Sequence, residues 1–413
     1  MQNEDRREFL KTSAKLGGGA LASMAGIGIF SNASAKSLSL ANGIKIDDSL
    51  EASTQEAIKN GARIESKGFA ASSKQWKFKP FSFSRHALGE KDILIEILFA
   101  GICHSDVHSA KSEWHEGIYP MIPGHEIAGR VIAVGSKVSK FKVGDYAGVG
   151  CMVNSCGECE ACKKSQEQFC MNGKATFTYD CIDSFHDNEP TYGGYSNNIV
   201  VHEHFAVCVP SDAPLEKVAP LLCAGITTYS PLKFSQIKAG DKVGVAGFGG
   251  LGSMAVKYAV KMGAEVYVFA RNDKKKEEAL KMGTKALYTS TKPSEVKERF
   301  DFIISTIPYH YDINAYQAML KLHGEMAIVG LPANKDNPSF NANTFIWNFR
   351  RKIYSSLIGG IKETQEMLDF SLKHKIYPET EIITADKIDE AYDNLTSGKA
   401  KFRYVIDMKK SFS

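Results

Sequence analysis

The sequence predicts an α/β protein in two parts, a mostly-β region and a parallel sheet covered by helices. Three observations predict it. Across residues 82–210 short β-like runs, such as 93–98 and 129–135, are broken by glycine, aspartate and lysine turns. Beyond Lys238 strand-like and helix-like stretches alternate, the pattern of parallel strands joined by crossover helices. The first strand–helix junction of that alternation is a glycine-rich turn, Gly247-Phe248-Gly249-Gly250-Leu251-Gly252.

The 413 residues, 43% hydrophobic and 24% charged, are material for two domains and exclude a collagen, a disordered tail protein and a polytopic membrane protein. With 51 basic against 47 acidic groups there is no basic field to hold a nucleic-acid backbone. The nine cysteines are too dilute for a disulfide scaffold, and five of them crowd into residues 151–170, as metal ligands do.

Residues 1–35 are a targeting segment. They read Arg6-Arg7-Glu8-Phe9-Leu10-Lys11, then a weakly apolar stretch rich in glycine and alanine over 16–30, then Ala33-Ser34-Ala35. That is a twin-arginine export signal with an A-x-A cleavage site, and it predicts a periplasmic protein delivered folded by the twin-arginine machinery. A membrane anchor would need roughly 20 apolar residues, which this stretch lacks, and no later segment is apolar enough to span. Residues 36–64 are polar and read as a linker or surface arm, with a short helix within 49–60 capped by Ser49 and stopped by Gly61.

In the second half, strands are expected at 242–246, 265–270, 300–305 and 326–329, with helices at 252–262, 274–282 and 315–322. The turn at Gly247, Gly249, Gly250, Leu251 and Gly252 lies between the first strand and the first helix, where a dinucleotide fingerprint belongs. Glycines let the backbone approach a pyrophosphate, and the helix start offers it unpaired N–H groups. At the end of the next strand, Ala270 stands where an NAD enzyme places an acid for the ribose hydroxyls. Arg271 follows, with Lys274, Lys275 and Lys276 behind it, and Arg271 and Lys275 suit a 2′-phosphate. The cofactor expected is NADP(H), although Asp273 would restore an acid if the alignment slid by three residues.

Cys156, Cys159, Cys162 and Cys170 have the spacing C-x2-C-x2-C-x7-C, short enough to surround one tetrahedral ion. A site closed by four thiolates is structural. An iron–sulfur cluster would want its fourth cysteine three residues on and before proline, and disulfides are a second rival in an exported chain. Other ligand types are scattered: Cys103-His104-Ser105-Asp106-Val107-His108, then Gly124-His125-Glu126, then Cys223-Ala224-Gly225. Spacing alone does not join them, and any one of them alone is more often a satisfied core residue than a ligand.

Taken together with Gly193-Gly194-Tyr195 and the glycine loop, these motifs occur in an order that resembles the zinc-dependent medium-chain alcohol dehydrogenases, and most of all their cinnamyl-alcohol-dehydrogenase-like branch of NADP-dependent aldehyde reductases. The resemblance runs over about residues 81–408. It implies a GroES-like β domain over 65–222 and 361–413 and a Rossmann domain over 223–360. It implies a catalytic zinc on Cys103, His125 and Cys223, with Glu126 as an exchangeable fourth ligand, and a structural zinc in the four-cysteine lobe, two per chain.

The same resemblance places Asp106 behind the metal histidine, a proton relay on Ser105 and His108, Gly330 at the cofactor, and Trp114 and Phe177 along a pocket for aromatic or medium aliphatic substrates. The activity implied is reversible hydride transfer between primary alcohols and aldehydes, by a chain paired as a homodimer. A polyol dehydrogenase of the same superfamily is the rival enzyme, and a non-catalytic zinc- or nucleotide-binding protein the rival of another class; Ala270-Arg271 and the unbroken ligand set weigh against them. Outside the cytoplasm free NADPH is not at hand, so the cofactor is expected to be loaded before export and to stay bound.

Overall fold

The computed structural model describes residues 37–292, 294–400 and 403–413, and residues 35–413 form one unit. The proposed export signal of residues 1–35 lies outside the described residues. No described helix is long and apolar enough to cross a membrane.

The β region is organised on the strand Asp92–Gly101, nearly all of it buried. Ile127–Val134 pairs with it antiparallel, as does Asn198–His202, and Tyr146–Val149 and Ala206–Val209 extend the sheet beyond Ile127–Val134. The C-terminal strand Arg403–Asp407 returns from the other end of the chain to pair with Asp92–Gly101, bringing Thr380–Ile383 with it. That return carries Arg403 to the site described below.

Residues 37–64, expected as a linker or surface arm, pack onto the β region. Lys45–Asp47 pairs antiparallel with Ile127–Val134, Lys45 facing Val134 and Ile46 facing Ala133, and Ser37–Ser39 folds back on Lys45–Asp47. Ile46, Ile58 and Ile64 are buried in a small cluster with Leu94, Ile132 and Val200. The polar average of the segment hides a few isoleucines spaced to reach one core, and the Asp47 carboxylate binds the Arg130 guanidinium at 2.5 Å. The helix is Ala52–Lys59, begun at Glu51 without a side-chain cap; Ser49 instead bonds Asp47 in the preceding turn, and Gly61 turns with φ +63° beyond the helix end.

The second sheet has six strands, all parallel, in the order Ala286–Tyr288, Glu265–Phe269, Lys242–Ala246, Phe300–Ser305, Leu320–Ile328, Lys352–Ser355. In chain order this is 3-2-1-4-5-6, the doubly wound dinucleotide arrangement, whose order reverses between Lys242–Ala246 and Phe300–Ser305. Both of these strands fall on the predicted residues because parallel strands buried on both faces read as largely apolar runs, here broken within only by Asp301. The helix expected over 315–322 ends early, at Gln317, and Leu320 already opens a strand.

Candidate metal and dinucleotide centre

Cys103 follows the strand Asp92–Gly101 and precedes the helix His104–Ala110. Asp106, in the first turn of that helix and fully buried, accepts from the Cys103 N–H at 2.7 Å and from the Gly124 N–H at 3.1 Å. It also meets His125 Nδ1 at 3.1 Å. One carboxylate thus fixes the sulfur loop and the imidazole loop together, and turns the other ring nitrogen, Nε2, to coordination. Gly124 adopts φ +103°, and a Cβ there would lie 2.7 Å from the Tyr195 ring. Gly194 N–H donates to Gly124 O at 2.8 Å and Tyr195 N–H to Pro123 O at 3.0 Å, so residues 193–195 clamp the histidine loop.

Cys223 arrives from the turn before the helix Ala224–Phe234. One ligand atom from each of Cys103, His125, Glu126 and Cys223 lies within 4.8 Å of the others, and all four residues are buried. The two sulfurs are 3.9 Å apart. Cys103 sits well below the usual thiol range, chiefly through its hydrogen bond with Cys223, and Cys223 correspondingly well above it. Burial pushes the Glu126 carboxyl up to about 8 against the pull of Arg403. Burial also opposes a charge on His125, yet Asp106 and the neighbouring sulfurs hold its pKa well above that of a free imidazole. Glu126 Oε2 is buried with no hydrogen-bond partner. Two thiols, an oriented imidazole and an orphaned carboxylate oxygen are a donor set short of a cation, and they fit zinc with one exchangeable member.

Arg403 went unread in the sequence. Its guanidinium Nη2 is ion-paired with Glu126 Oε1, and its Nη1 lies 3.1 Å from where a Cβ on Gly250 would sit. It therefore joins the metal carboxylate to the glycine turn. No motif surrounds it; only the return of Arg403–Asp407 to the first sheet reveals it.

The glycine turn is built for close approach. Gly247 has φ +91°, a Cβ on Gly252 would meet Gly247 O at 2.0 Å, and Gly249 faces open space. The helix Gly250–Lys261 starts there without a side-chain cap, and Leu251 packs beneath on the core. Thr306, from the adjoining strand end, donates to Ala246 O at 3.0 Å and braces the turn at the reversal point of the sheet. Gly330 lies beside it, its N–H donating to Ser305 O at 3.0 Å. Arg271 is exposed with its guanidinium 5.2 Å from the Tyr309 ring, and Lys275 is half-buried near Phe248, whereas Lys274 and Lys276 point to solvent. The uncapped helix start, the close turn and the two cations beyond it fit a dinucleotide.

Ser105 Oγ is 3.7 Å from Cys103 Sγ. His108 Nδ1 meets Glu113 Oε2 at 2.6 Å, its ring stacks on Trp114 at 5.0 Å, and its Nε2 is buried without a partner. Among the described residues no hydrogen bond joins Ser105 to His108. Trp114 Nε1–H donates to Pro332 O at 3.1 Å and Asn334 reaches back to Trp114 O, so this indole bridges the two sheets' loops. Phe177 is paired opposite Met152 and stays 37% exposed. The ring that stacks on His125 is Tyr179, 5.7 Å away and buried. Glu113 and Tyr179 carry no signal in the sequence beyond lying near Trp114 and Phe177.

Cys156, Cys159, Cys162 and Cys170 converge with their sulfurs within 4.8 Å of one another. N–H groups aim at them: Cys159 N–H lies 3.4 Å from Cys156 Sγ and Met171 N–H 3.4 Å from Cys159 Sγ. The backbone at Cys162 helps draw the Cys159 thiol down to about 6, while burial pushes Cys162 up to about 12. None of the nine cysteines is in a disulfide in this structure, and the four of the lobe face one another as thiols.

Residues 89–211 match the family model of the alcohol dehydrogenase GroES-like domain, and residues 250–373 match that of the zinc-binding dehydrogenase. The chain belongs to the zinc-dependent medium-chain alcohol dehydrogenases. Within that family it is 48% identical to the probable formaldehyde dehydrogenase AdhA of Bacillus subtilis (strain 168), over 80% of this chain and 94% of that one. It is 46% identical to the NADP-dependent alcohol dehydrogenase C 1 of Mycolicibacterium smegmatis, over 82% and 97%. The crystal structure of CAD from Helicobacter pylori complexed with NADP(H) superposes with a TM-score of 0.82 at 66% identity, over 84% of this chain and 99% of that one.

Proposed function

We propose that this alcohol dehydrogenase is an NADP(H)-dependent reductase of aromatic or medium aliphatic aldehydes, working reversibly on the corresponding primary alcohols and binding two zinc ions per chain. The observation that carries the reading is the buried set Cys103, His125, Glu126 and Cys223, tied through Arg403 to the glycine turn. When bound, the zinc supplies Lewis acidity to a carbonyl oxygen and the dinucleotide supplies the hydride. Cys103, His125 and Cys223 hold the metal. Glu126, paired with Arg403, would be the exchangeable fourth ligand, and Asp106 holds His125 Nδ1 so that Nε2 would face the metal. Ser105 Oγ would hand the proton to the product oxygen, and His108, its Nδ1 anchored by Glu113 and its Nε2 without a partner, would resupply it. Trp114 covers His108 and keeps water from that face.

NADP(H) rather than NAD(H) is supported by Ala270, Arg271 and Lys275 and by the nicotinamide phosphate cofactor named for two of the relatives. Export by the twin-arginine route to the periplasm is supported by residues 1–35, and a cofactor loaded before export and retained follows from it. A homodimer is supported by Ile346, Trp347 and Phe349, each more than two-thirds exposed just before the edge strand Lys352–Ser355. Initial rates with a panel of aldehydes under NADPH and NADH test the reading. A clear preference for NADPH and for aromatic aldehydes is expected; equal use of NADH, or turnover confined to polyols, contradicts it. Native protein from the periplasm should carry near one nucleotide per chain, and an empty pocket contradicts retention.

A further inference from the structure

Apart from the two centres above, a third cluster of metal-ligand side chains lies in the β region. His86 follows the strand Phe78–Arg85, Asp92 opens Asp92–Gly101, and His186 sits in the turn between Ile182–Asp183 and Glu189–Pro190. One ligand atom from each lies within 4.8 Å of the others. Both histidines line a cavity of about 60 Å3 together with Asp183 and His202; Asp92 is outside that lining but lies against it, 3.9 Å from His86 Nδ1 and in strand register with His202. That volume holds an ion and a water or two.

The hydrogen bonds around the two imidazoles are those of metal histidines. His186 Nδ1 meets Asp183 Oδ2 at 2.7 Å, and His86 Nδ1 meets Ala87 O at 2.9 Å. A carbonyl and a carboxylate only accept, so each ring carries its proton on Nδ1 and keeps the Nε2 lone pair for coordination. The rings lie face to face, 3.6 Å between centroids and 5° between planes. Two protonated rings so close would repel. Sharing one cation needs a tilt toward a common point, which His186, about one-third exposed on its turn, would make about its Asp183 hydrogen bond.

The charge balance also admits a cation. Arg85 lines the cavity, but its two terminal nitrogens are engaged by the carbonyls of Tyr192, Gly193 and Asn198 and by Ser196. Against that one positive charge stand Asp92 and Asp183, while Glu189 is paired with Arg63. Two imidazoles and a carboxylate with no thiolate suit zinc, nickel or copper rather than calcium or magnesium. We propose that His86, Asp92 and His186 form a third, exchangeable site for a divalent transition-metal ion, which ties the 184–188 turn to the sheet. The proposal is independent of the catalytic reading.

The full-length holoprotein, freed of loosely held metal by dialysis, is titrated with Zn2+ alone, and in a second series with Ni2+ alone, by calorimetry and elemental analysis. Wild type should take up one equivalent beyond its resident metal, and its thermal midpoint should rise with it. His86→Gln and His186→Gln should lose that equivalent while alcohol oxidation stays at the wild-type rate. Asp183→Asn, which keeps all three ligands, should weaken the affinity about tenfold through the loss of its hold on His186. Absence of an additional equivalent in wild type, or uptake of the same affinity in wild type, His186→Gln and Asp183→Asn, overturns the proposal.

Discussion

The four-cysteine lobe and the buried Cys103–His125–Glu126–Cys223 set are both groups of four converging ligand atoms, but they are built in opposite ways. The lobe takes its ligands from residues 156–170 and points backbone N–H groups at its own sulfurs, so a tight local loop suffices. The other set draws on three segments spread over residues 103–223 and is braced by Asp106, by the 193–195 clamp and by Arg403 from the C-terminal strand. A site of four thiolates is saturated, whereas the scattered one includes a carboxylate with an orphaned oxygen and a rival cation. The difference separates holding from reacting. Permanent ligands need only proximity, and an exchangeable one needs a second partner waiting for it.

The comparison breaks most sharply at Cys103 and His125. Cys103→Ser or His125→Ala should remove one metal equivalent and lower kcat by at least about 10³-fold, the loss of several kcal/mol of transition-state stabilisation, while circular dichroism stays native. His108→Gln should cost on the order of 10²-fold in kcat with the metal content unchanged, and a pH–rate profile should show the proton step exposed. Cys159→Ser should act on the lobe in the opposite sense, losing its ion and lowering the thermal midpoint by on the order of 5 °C, with the catalytic metal and kcat largely kept.

The amino-terminal segment sharpens the contrast between sites and scaffold. Ile46→Ala, in the small cluster under Lys45–Asp47, should cost about 3 kcal/mol in denaturant unfolding with kcat unchanged. The smallest effect is electrostatic. Burial raises the Asp47 carboxyl, but Ser49 and Arg130 outweigh it and hold its pKa below the usual carboxylate value. A depressed folded pKa contributes stability above the unfolded value of about 3.9, and that stability is lost as pH falls through the lower folded value. Asp47→Asn should flatten that acid limb of a stability–pH curve and leave the neutral limb lower by a small constant.

What could be read in the chain followed the same division. Lys242–Ala246 and Phe300–Ser305 were legible to the residue because nearly every position is buried and, apart from Lys242, Asp301 and Ser305, they are made of apolar residues and glycine. Leu320–Ile328 was not, since Lys321, Leu322 and His323 are exposed and break any strand alternation, leaving a helical period to be read into 315–322. Residues 36–64 misled for a related reason: a few isoleucines reach the core through a polar segment, and composition averages them away. The four-cysteine lobe was plain from spacing. The scattered set was recognisable only by the order of several motifs, and Arg403 and Glu113 by none, because their roles exist only once distant strands and loops meet.

The most direct test of the central claim is a zinc count on wild type and His125→Ala, prepared in parallel and stripped of loosely held metal. Two tightly held ions are expected in wild type and one in the variant, with turnover lost together with the missing ion. An unchanged count, or a lost ion with turnover kept, would contradict it.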